Sequence, residues 1–540
     1  MKKKITPILL TVIVLLSSVL SACNGSNGSV AQTTTNGEGT NTANPVNFKT
    51  WVTYGIDKVE GGSNAPRNPS TEIDVFMAKN EKESFHIALK ADADVSGLKI
   101  VIDEGSRDDI SVEFFKEHLI KTNTSYYPDP IVPITDTFGL SNGMNECVLV
   151  RFTTSESTEA GDYVYKFSVL DEKGNSIGSY TAKLKVWDFA LPENYSTDTS
   201  TGLYLDYIRS KEKIPARLND KYYIAYYEML LDYGMSAYDL PYDILSDKAD
   251  AYMSDPRVTS FRVPFAVDDD KILEYYEKLK TNEVWLNKAY FLPYDEPSSV
   301  EQINELIPEC ERLKELAPDI RIIIPFFTNV AYDSDRDEID MLEKYLGIWC
   351  PKAPCFQEGW LDDPLGKGYF GDRMAAQKAC GDKIWWYVCW EPGFPFCNMF
   401  VNEQGLNHVT LFWQQYDNGV EGFLYWSANY WRYIDDPWTD MATVQGWLSG
   451  NVYGDGSLMY PGKKVGIEGP VASLRLECIR NGMEDVELLK LAEELLGRAW
   501  VDEMIDKVTK SVGDHTKSAD VFADTRKAIG DAIEERFNDQ

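Results

Sequence analysis

From residue 46 onward, short runs of alternating apolar and polar residues recur between turn signals, at 72–77, 84–89, 98–102, 147–152, 163–170 and 180–186. A period of two buries one face of a strand, so each run predicts a β-strand. Gly174 and Asn175 punctuate the last two as a hairpin would. The spacing predicts an all-β sandwich over 46–190, closed by a polar, Pro-containing linker at 191–200. After residue 201 the pattern changes. Strand-like runs at 202–206, 236–240, 258–265, 289–294, 321–328, 347–350, 383–390 and 422–426 alternate with helical patterns at 218–233, 269–281, 300–316, 338–346 and 407–416. This alternation predicts a (β/α)8 TIM-type barrel over 201–470. A C-terminal helical region follows over 471–540, with one long helix at 474–496 and further helix at 500–537 broken at Gly513 and Asp514. Within it, R-N-G-M-E-D-V-E at 480–487 offers charged pairs at helical spacing, which predicts salt bridges packing that helix on the barrel.

The chain is organised around K-A-Y-F-L-P-Y-D-E-P at 288–297, a short apolar strand that ends in two adjacent carboxylates, Asp295 and Glu296. Pro297 biases Glu296 away from helix, and Ser298 with Glu301 predicts a capping box for the helix beyond. Successive side chains on a regular strand point to opposite faces, so the two carboxylates share a ligand only if the backbone kinks between them. The plainer alternative is one carboxylate capping the helix and the other solvated. A barrel carries its active site at the carboxyl ends of its strands, where this pair falls, and that favours catalysis. The same rim receives Tyr204, Asp206, Tyr238, Asp239, Tyr294, Trp390, Glu391, Trp426, Asn429, Tyr430 and Trp431 as candidate substrate contacts. For each aromatic among them, core packing is the competing reading.

The ends and the composition narrow the class. Three lysines precede an apolar run at 5–20 that closes on L-S-A-C, a signal peptide over 1–22 with Cys23 as the lipidated first residue of the mature protein. Residues 23–45 are Asn, Gly, Ser and Thr with almost no large apolar side chain, a disordered tether. The expected location is therefore extracytoplasmic, with lipid anchoring as the only membrane contact. A formal charge of −33 excludes nucleic acid as a partner, because neutralising phosphates needs clustered Lys and Arg. Four scattered histidines give no zinc spacing and no histidine triad, leaving carboxylates as the catalysts, with no metal and no cofactor expected. The 14 Trp and 31 Tyr suit stacking against sugar faces. Eight further cysteines, several in apolar runs, read mostly as free buried residues.

Five pieces of sequence together resemble glycoside hydrolase family 123: N-E-K-E-S-F at 80–85, V-W-D-F-A-L-P-E at 186–193, L-P-Y-D-E-P at 292–297, V-E-G-F-L-Y-W-S-A-N-Y-W at 420–431 and R-N-G-M-E-D-V-E-L-L at 480–489. One departure is His86, where the family pattern has Gln. The resemblance implies a β-sandwich ahead of a (β/α)8 barrel and release of β-linked N-acetylgalactosamine from a glycan or glycolipid. It also implies retention of configuration through the substrate's own 2-acetamido group and an oxazolinium intermediate. Asp295 would then orient and polarise that group, while Glu296 protonates the leaving oxygen and later activates water. Adjacency suits this chemistry, since an acetamido nucleophile sits beside the leaving oxygen on the same sugar. Two other readings remain open at this point. One is a non-catalytic surface carbohydrate-binding lipoprotein, which would have no need of an acid at Glu296. The other is a glycosidase acting on a sugar without an acetamido group, using Glu391 or Asp206 as a second carboxylate.

Overall fold

The computed structural model of the protein describes residues 46–443 and 452–539. The expectations for 1–22, Cys23 and 23–45 fall outside these residues. The N-terminal region is built from two five-stranded sheets. One runs in the order Phe48–Tyr54, Lys82–Ala91, Asn145–Thr153, Ser111–Lys121, Tyr126–Pro133, the other Glu72–Lys79, Ser176–Ala190, Gly161–Leu170, Val95–Glu104, Phe138–Leu140. Their inward residues, among them Phe85, Ile87 and Val150 from the first and Val75, Phe167 and Leu184 from the second, form one core. All six alternating runs are strands. The strands at 48–54, 111–121, 126–133 and 138–140 escape the pattern because polar residues or Pro interrupt their apolar positions. Gly174 closes the expected hairpin at φ +81°, donating its N–H to Asp171. His86 lies in this region, fully buried and 2.7 Å from Glu117.

Seven strands then form one parallel sheet in the order Asp198–Thr201, Gly422–Tyr425, Lys383–Val388, Ile348–Pro351, Arg321–Phe326, Ala289–Phe291, Phe261–Arg262. The sheet curls into a nearly closed barrel. Residues 236–238 lie in the gap: Thr201 N–H donates to the Ser236 carbonyl, Tyr238 N–H to Thr201 and Arg262 N–H to Tyr238, at 2.9, 2.7 and 2.7 Å. Alternate residues fill the interior, with Tyr290, Ile323, Ile348, Cys350, Trp385, Tyr387 and Leu424 in mutual contact.

The first strand corrects the sequence reading. It is Asp198–Thr201, which begins inside the stretch taken as linker, and 202–206 instead runs into the helix Leu205–Glu212. Thr199, Ser200 and Thr201 are completely buried, so this strand has no apolar signature at all. Two of their hydroxyls are satisfied inside the protein: Thr199 donates to the Gly234 carbonyl at 2.9 Å, and Ser200 meets the Tyr290 hydroxyl at 2.5 Å. The helix after the Asp-Glu pair, Val300–Leu316, begins where expected, but its cap is Ser299, one residue later than Ser298. Ser299 Oγ accepts from Gln302 N–H, and Ser298 bonds the Gln302 side chain.

The long helix Leu474–Leu496 is as expected, and beyond it Arg498–Val508 and Ala519–Asn538 flank a small hairpin containing Asp514. Its charged motif does not face the barrel alone. Glu477 takes Arg151 of the first sheet at 3.1 Å and Arg480 at 2.6 Å, Glu484 accepts from Lys82 N–H and Tyr195, and Asp485 accepts from Trp413 at 2.8 Å and Arg526 at 2.7 Å. Arg526 also pairs with Glu81. The N-E-K-E-S-F and R-N-G-M-E-D-V-E pieces are thus two sides of one buried ionic joint. Gly482 belongs to the same joint, because a Cβ there would stand 2.4 Å from the Phe412 ring of the helix Gly405–Asp417.

Arg475 makes the strictest test of this joint. Fully buried, it forks onto Asp129 of the strand Tyr126–Pro133 at 2.8 and 2.7 Å and donates to the carbonyls of Met399, Gly454 and Ser457. Arg475→Met is expected to strand the Asp129 charge in the core and cost about 3–5 kcal/mol, read as a fall in the denaturation midpoint. Adding Asp129→Leu should recover much of that loss. A loss below about 1 kcal/mol for the single variant would show that the pair is not what joins the regions.

Candidate active site

Tyr290 points into the barrel from the strand Ala289–Phe291, and the chain then rises through Leu292, Pro293 and Tyr294 to Asp295 and Glu296 at the mouth. Glu296 has φ +51°, in the left-handed region that side chains with a Cβ rarely adopt. Such a residue costs about 1–3 kcal/mol and persists only where its surroundings impose it. Here Glu296 N–H is held by the Pro325 carbonyl of the next strand at 3.1 Å, and Pro297 follows directly. This is the kink that adjacency required.

Glu296 Oε1 accepts from the Tyr387 hydroxyl, which rises from the interior of the strand Lys383–Val388. The Asp295 charge adds to the raising of the Tyr238 phenol, after burial itself and the neighbouring Tyr290 and Tyr204. Both carboxylates act on the buried Cys350 thiol, which is raised by burial first. Asp295 is open to solvent, yet desolvation by the surrounding rim, followed by the Glu296 charge, raises its own carboxyl pKa. Two adjacent carboxylates with a phenol donor on one of them can exchange protons with a ligand at the mouth, and neither caps the following helix, whose cap is Ser299.

Around them the candidates divide. Trp426, Tyr430 and Tyr204 make a connected aromatic wall, Trp426–Tyr430 at 4.7 Å and Tyr430–Tyr204 at 6.4 Å, extended by Tyr207 at 5.4 Å from Tyr430. Trp426 is fixed from behind by Asp455, which accepts from the indole N–H at 2.9 Å and whose carboxyl is pushed up to about 7 by burial. Asn429 supports this wall: its amide bonds the Tyr204 N–H and carbonyl at 2.9 and 3.0 Å. Tyr238 lies under the Arg262 guanidinium, which pairs with Asp239. Trp390 flanks the mouth beside Glu391, which pairs with Lys352 at 3.2 Å. Tyr294 packs against the main core.

Two candidates are not brought to the site. The Asp206 side chain is 89% exposed in the first turn of the helix Leu205–Glu212, where it pairs with Arg209. Trp431 is buried against Tyr226. Tyr387 and Lys352 are the residues that sequence reasoning passed over. Both sit on the inward parity of their strands, in step with Trp385 and with Cys350, and that parity was the available signal. Among the described residues no group of three or more His, Cys, Asp or Glu could hold a metal, and the eight cysteines are unpaired, seven of them buried.

The profile described as the glycoside hydrolase 123 catalytic domain matches residues 220–492, a little over half the chain. The chain belongs to glycoside hydrolase family 123. A solved family 123 glycoside hydrolase from Clostridium perfringens, described in terms of glycolipid glycan hydrolysis, superposes with a TM-score of 0.65 at 12% identity, covering 91% of this chain and 98% of that one. At that identity the likeness concerns the fold. A β-D-glucuronidase from Dictyoglomus thermophilum reaches a TM-score of 0.28 at 11% identity, over 81% of this chain and 68% of that one, and nothing about this chain follows from it. No curated protein sequence matches. As a family 123 member the protein is a glycoside hydrolase.

Proposed function

We propose that this family 123 enzyme releases β-linked N-acetylgalactosamine from glycans or glycolipids by a retaining, substrate-assisted mechanism. The observation that carries this reading is the left-handed turn at Glu296, between two adjacent carboxylates at one mouth, with the Tyr387 hydroxyl on the second of them. A protein nucleophile and its acid flank the scissile bond from different elements, about 5 Å apart in retaining enzymes, whereas neighbours on one strand end suit a nucleophile carried by the sugar. Asp295 holds the acetamido group and stabilises the positive oxazolinium; Glu296, steadied by Tyr387, protonates the leaving oxygen and then takes a proton from water. Glu391, the rival nucleophile, is committed to Lys352. The barrel is read as (β/α)8 with residues 236–238 as its second strand, supported by their bonds to both neighbours.

A panel of aryl β-glycosides differing only at C2 and C4 tests the assignment. Turnover should require the 2-acetamido group, with at least about tenfold preference for the axial over the equatorial C4 hydroxyl, as a site built to hydrogen-bond one hydroxyl gives. Equal turnover of the 2-hydroxy sugar would remove the acetamido mechanism. We further infer that the chain is exported and lipid-anchored through Cys23, supported by the L-S-A-C motif after the apolar run. Cys23→Ser should move the protein out of the membrane fraction or stall its processing while the isolated soluble part keeps full activity; unchanged membrane retention would count against the anchor.

A further inference from the structure

The hydrogen bond from Tyr387 gives the Glu296 carboxylate a direction. Going round the barrel one way from the strand Ala289–Phe291 come Arg321–Phe326, Ile348–Pro351 and Lys383–Val388; the other way come Phe261–Arg262 and residues 236–238. Glu296 leans over the first sector, onto Tyr387. An acid must touch the oxygen that departs, so the leaving group lies over the first sector.

That sector carries a built surface. Lys352 directly follows the strand Ile348–Pro351, pairs its backbone with Tyr387 and continues the inward parity of Ile348 and Cys350. Its side chain is 4% exposed, a cation kept inside the mouth. The ammonium stands 4.9 Å from the centre of the Phe327 ring and 5.5 Å from that of Trp390, and bonds Glu391 at 3.2 Å. Phe327 is 37% exposed at the end of the strand Arg321–Phe326, and the Glu391 side chain is 46% exposed. Further out, Phe394 is 80% exposed.

We propose that Phe327, Trp390 and the Lys352–Glu391 pair form the binding site for the first unit of the aglycone, and that this unit is an uncharged sugar. The inference rests on the acid role of Glu296. Two aromatic rings offer stacking faces for C–H surfaces, while the ammonium and the half-exposed carboxylate offer a donor and an acceptor for hydroxyl groups. Because the two charges already neutralise one another, the site favours a neutral polar group over an anionic one. An alkyl chain there would desolvate both charges and return no hydrogen bond.

Three leaving groups separate the possibilities when all are attached to the same N-acetylgalactosamine: fluoride, which has no surface to bind, a β-linked neutral hexose, and an octyl chain. In Phe327→Ala and in Lys352→Met, the ratio of kcat/KM for the hexose-linked substrate to that for the fluoride should fall about tenfold or more, and the octyl-to-fluoride ratio should fall less. Both ratios remaining within about twofold of wild type would overturn the proposal, and a larger fall for octyl would overturn the sugar as occupant. Should wild type turn over none of the three, the proposed function fails while the binding site stays testable. In Glu296→Gln protein, calorimetry should show the disaccharide binding more tightly than the monosaccharide, with the difference lost when Phe327→Ala is added. No such difference would overturn the site independently of catalysis.

Discussion

Glu296→Gln is expected to lower kcat by about 10²–10⁴-fold on substrates whose leaving group is a sugar, the range supplied by a positioned general acid. The glycosyl fluoride and dinitrophenyl glycosides should lose far less, since their leaving groups depart without a proton. The amide keeps the size of the carboxyl and its place beside Tyr387, so the comparison isolates proton transfer from packing. Tyr387→Phe should follow the same leaving-group pattern at smaller size, about tenfold, because it removes one hydrogen bond to the acid. Equal losses on good and poor leaving groups, measured as kcat against leaving-group acidity, would take the acid role away from Glu296.

The site was legible in the sequence where chemistry and pattern coincide. An apolar strand ending in D-E-P, placed fourth among eight strand-like runs, gives both the residues and their position at the mouth. What the pattern could not give was the geometry between them: the left-handed backbone of Glu296 depends on Pro325 of a neighbouring strand, a partner separated by almost thirty residues. The strand Asp198–Thr201 was illegible for a different reason. Its buried residues are Thr and Ser, with the Thr199 and Ser200 hydroxyls bonded inside the protein, so hydropathy marks it as a linker. Mistaking its start carried Asp206 to the rim on paper, while in the structure the chain has already turned into helix.

The family-like pieces also divide in a way that spacing alone does not reveal. D-E-P and G-F-L-Y-W reach the mouth. The other three meet one another: Lys82 N–H donates to Glu484, Arg526 bridges Glu81 and Asp485, and the Asn80 side chain donates to the Leu191 carbonyl at 3.1 Å. Buried charges leave little freedom to substitute, because each unpaired partner costs several kcal/mol. A charged motif in a large enzyme is therefore as readily a joint between domains as a site. Here the joint ties the two-sheet region to the helices that back the barrel.

Asp295→Asn should reduce kcat/KM on N-acetylgalactosaminides by about 10²–10³-fold, roughly 3 kcal/mol, as loss of one preorganised electrostatic partner does. Asparagine keeps a hydrogen-bond acceptor for the acetamido N–H but no charge to stabilise the oxazolinium, so the loss should appear in kcat with KM nearly unchanged. In wild type, burial and the Glu296 charge raise the Asp295 carboxyl, and Asp295 must be ionised to act. Activity should therefore fall with decreasing pH while still above the usual aspartate value of about 3.9, and Asp295→Asn should remove that limb of the kcat/KM profile. A thiazoline formed from the N-thioacetyl sugar mimics the cyclic intermediate and should bind wild type at least about 10²-fold more tightly than the free sugar. It should lose most of that advantage in Asp295→Asn, because the same charge is missing. If the matching galactoside is cleaved as fast as the N-acetylgalactosaminide and the thiazoline binds no better than the free sugar, the nucleophile is not the acetamido group. Glu391 would then have to leave Lys352 to serve, and Glu391→Gln, not Asp295→Asn, would abolish turnover of activated glycosides.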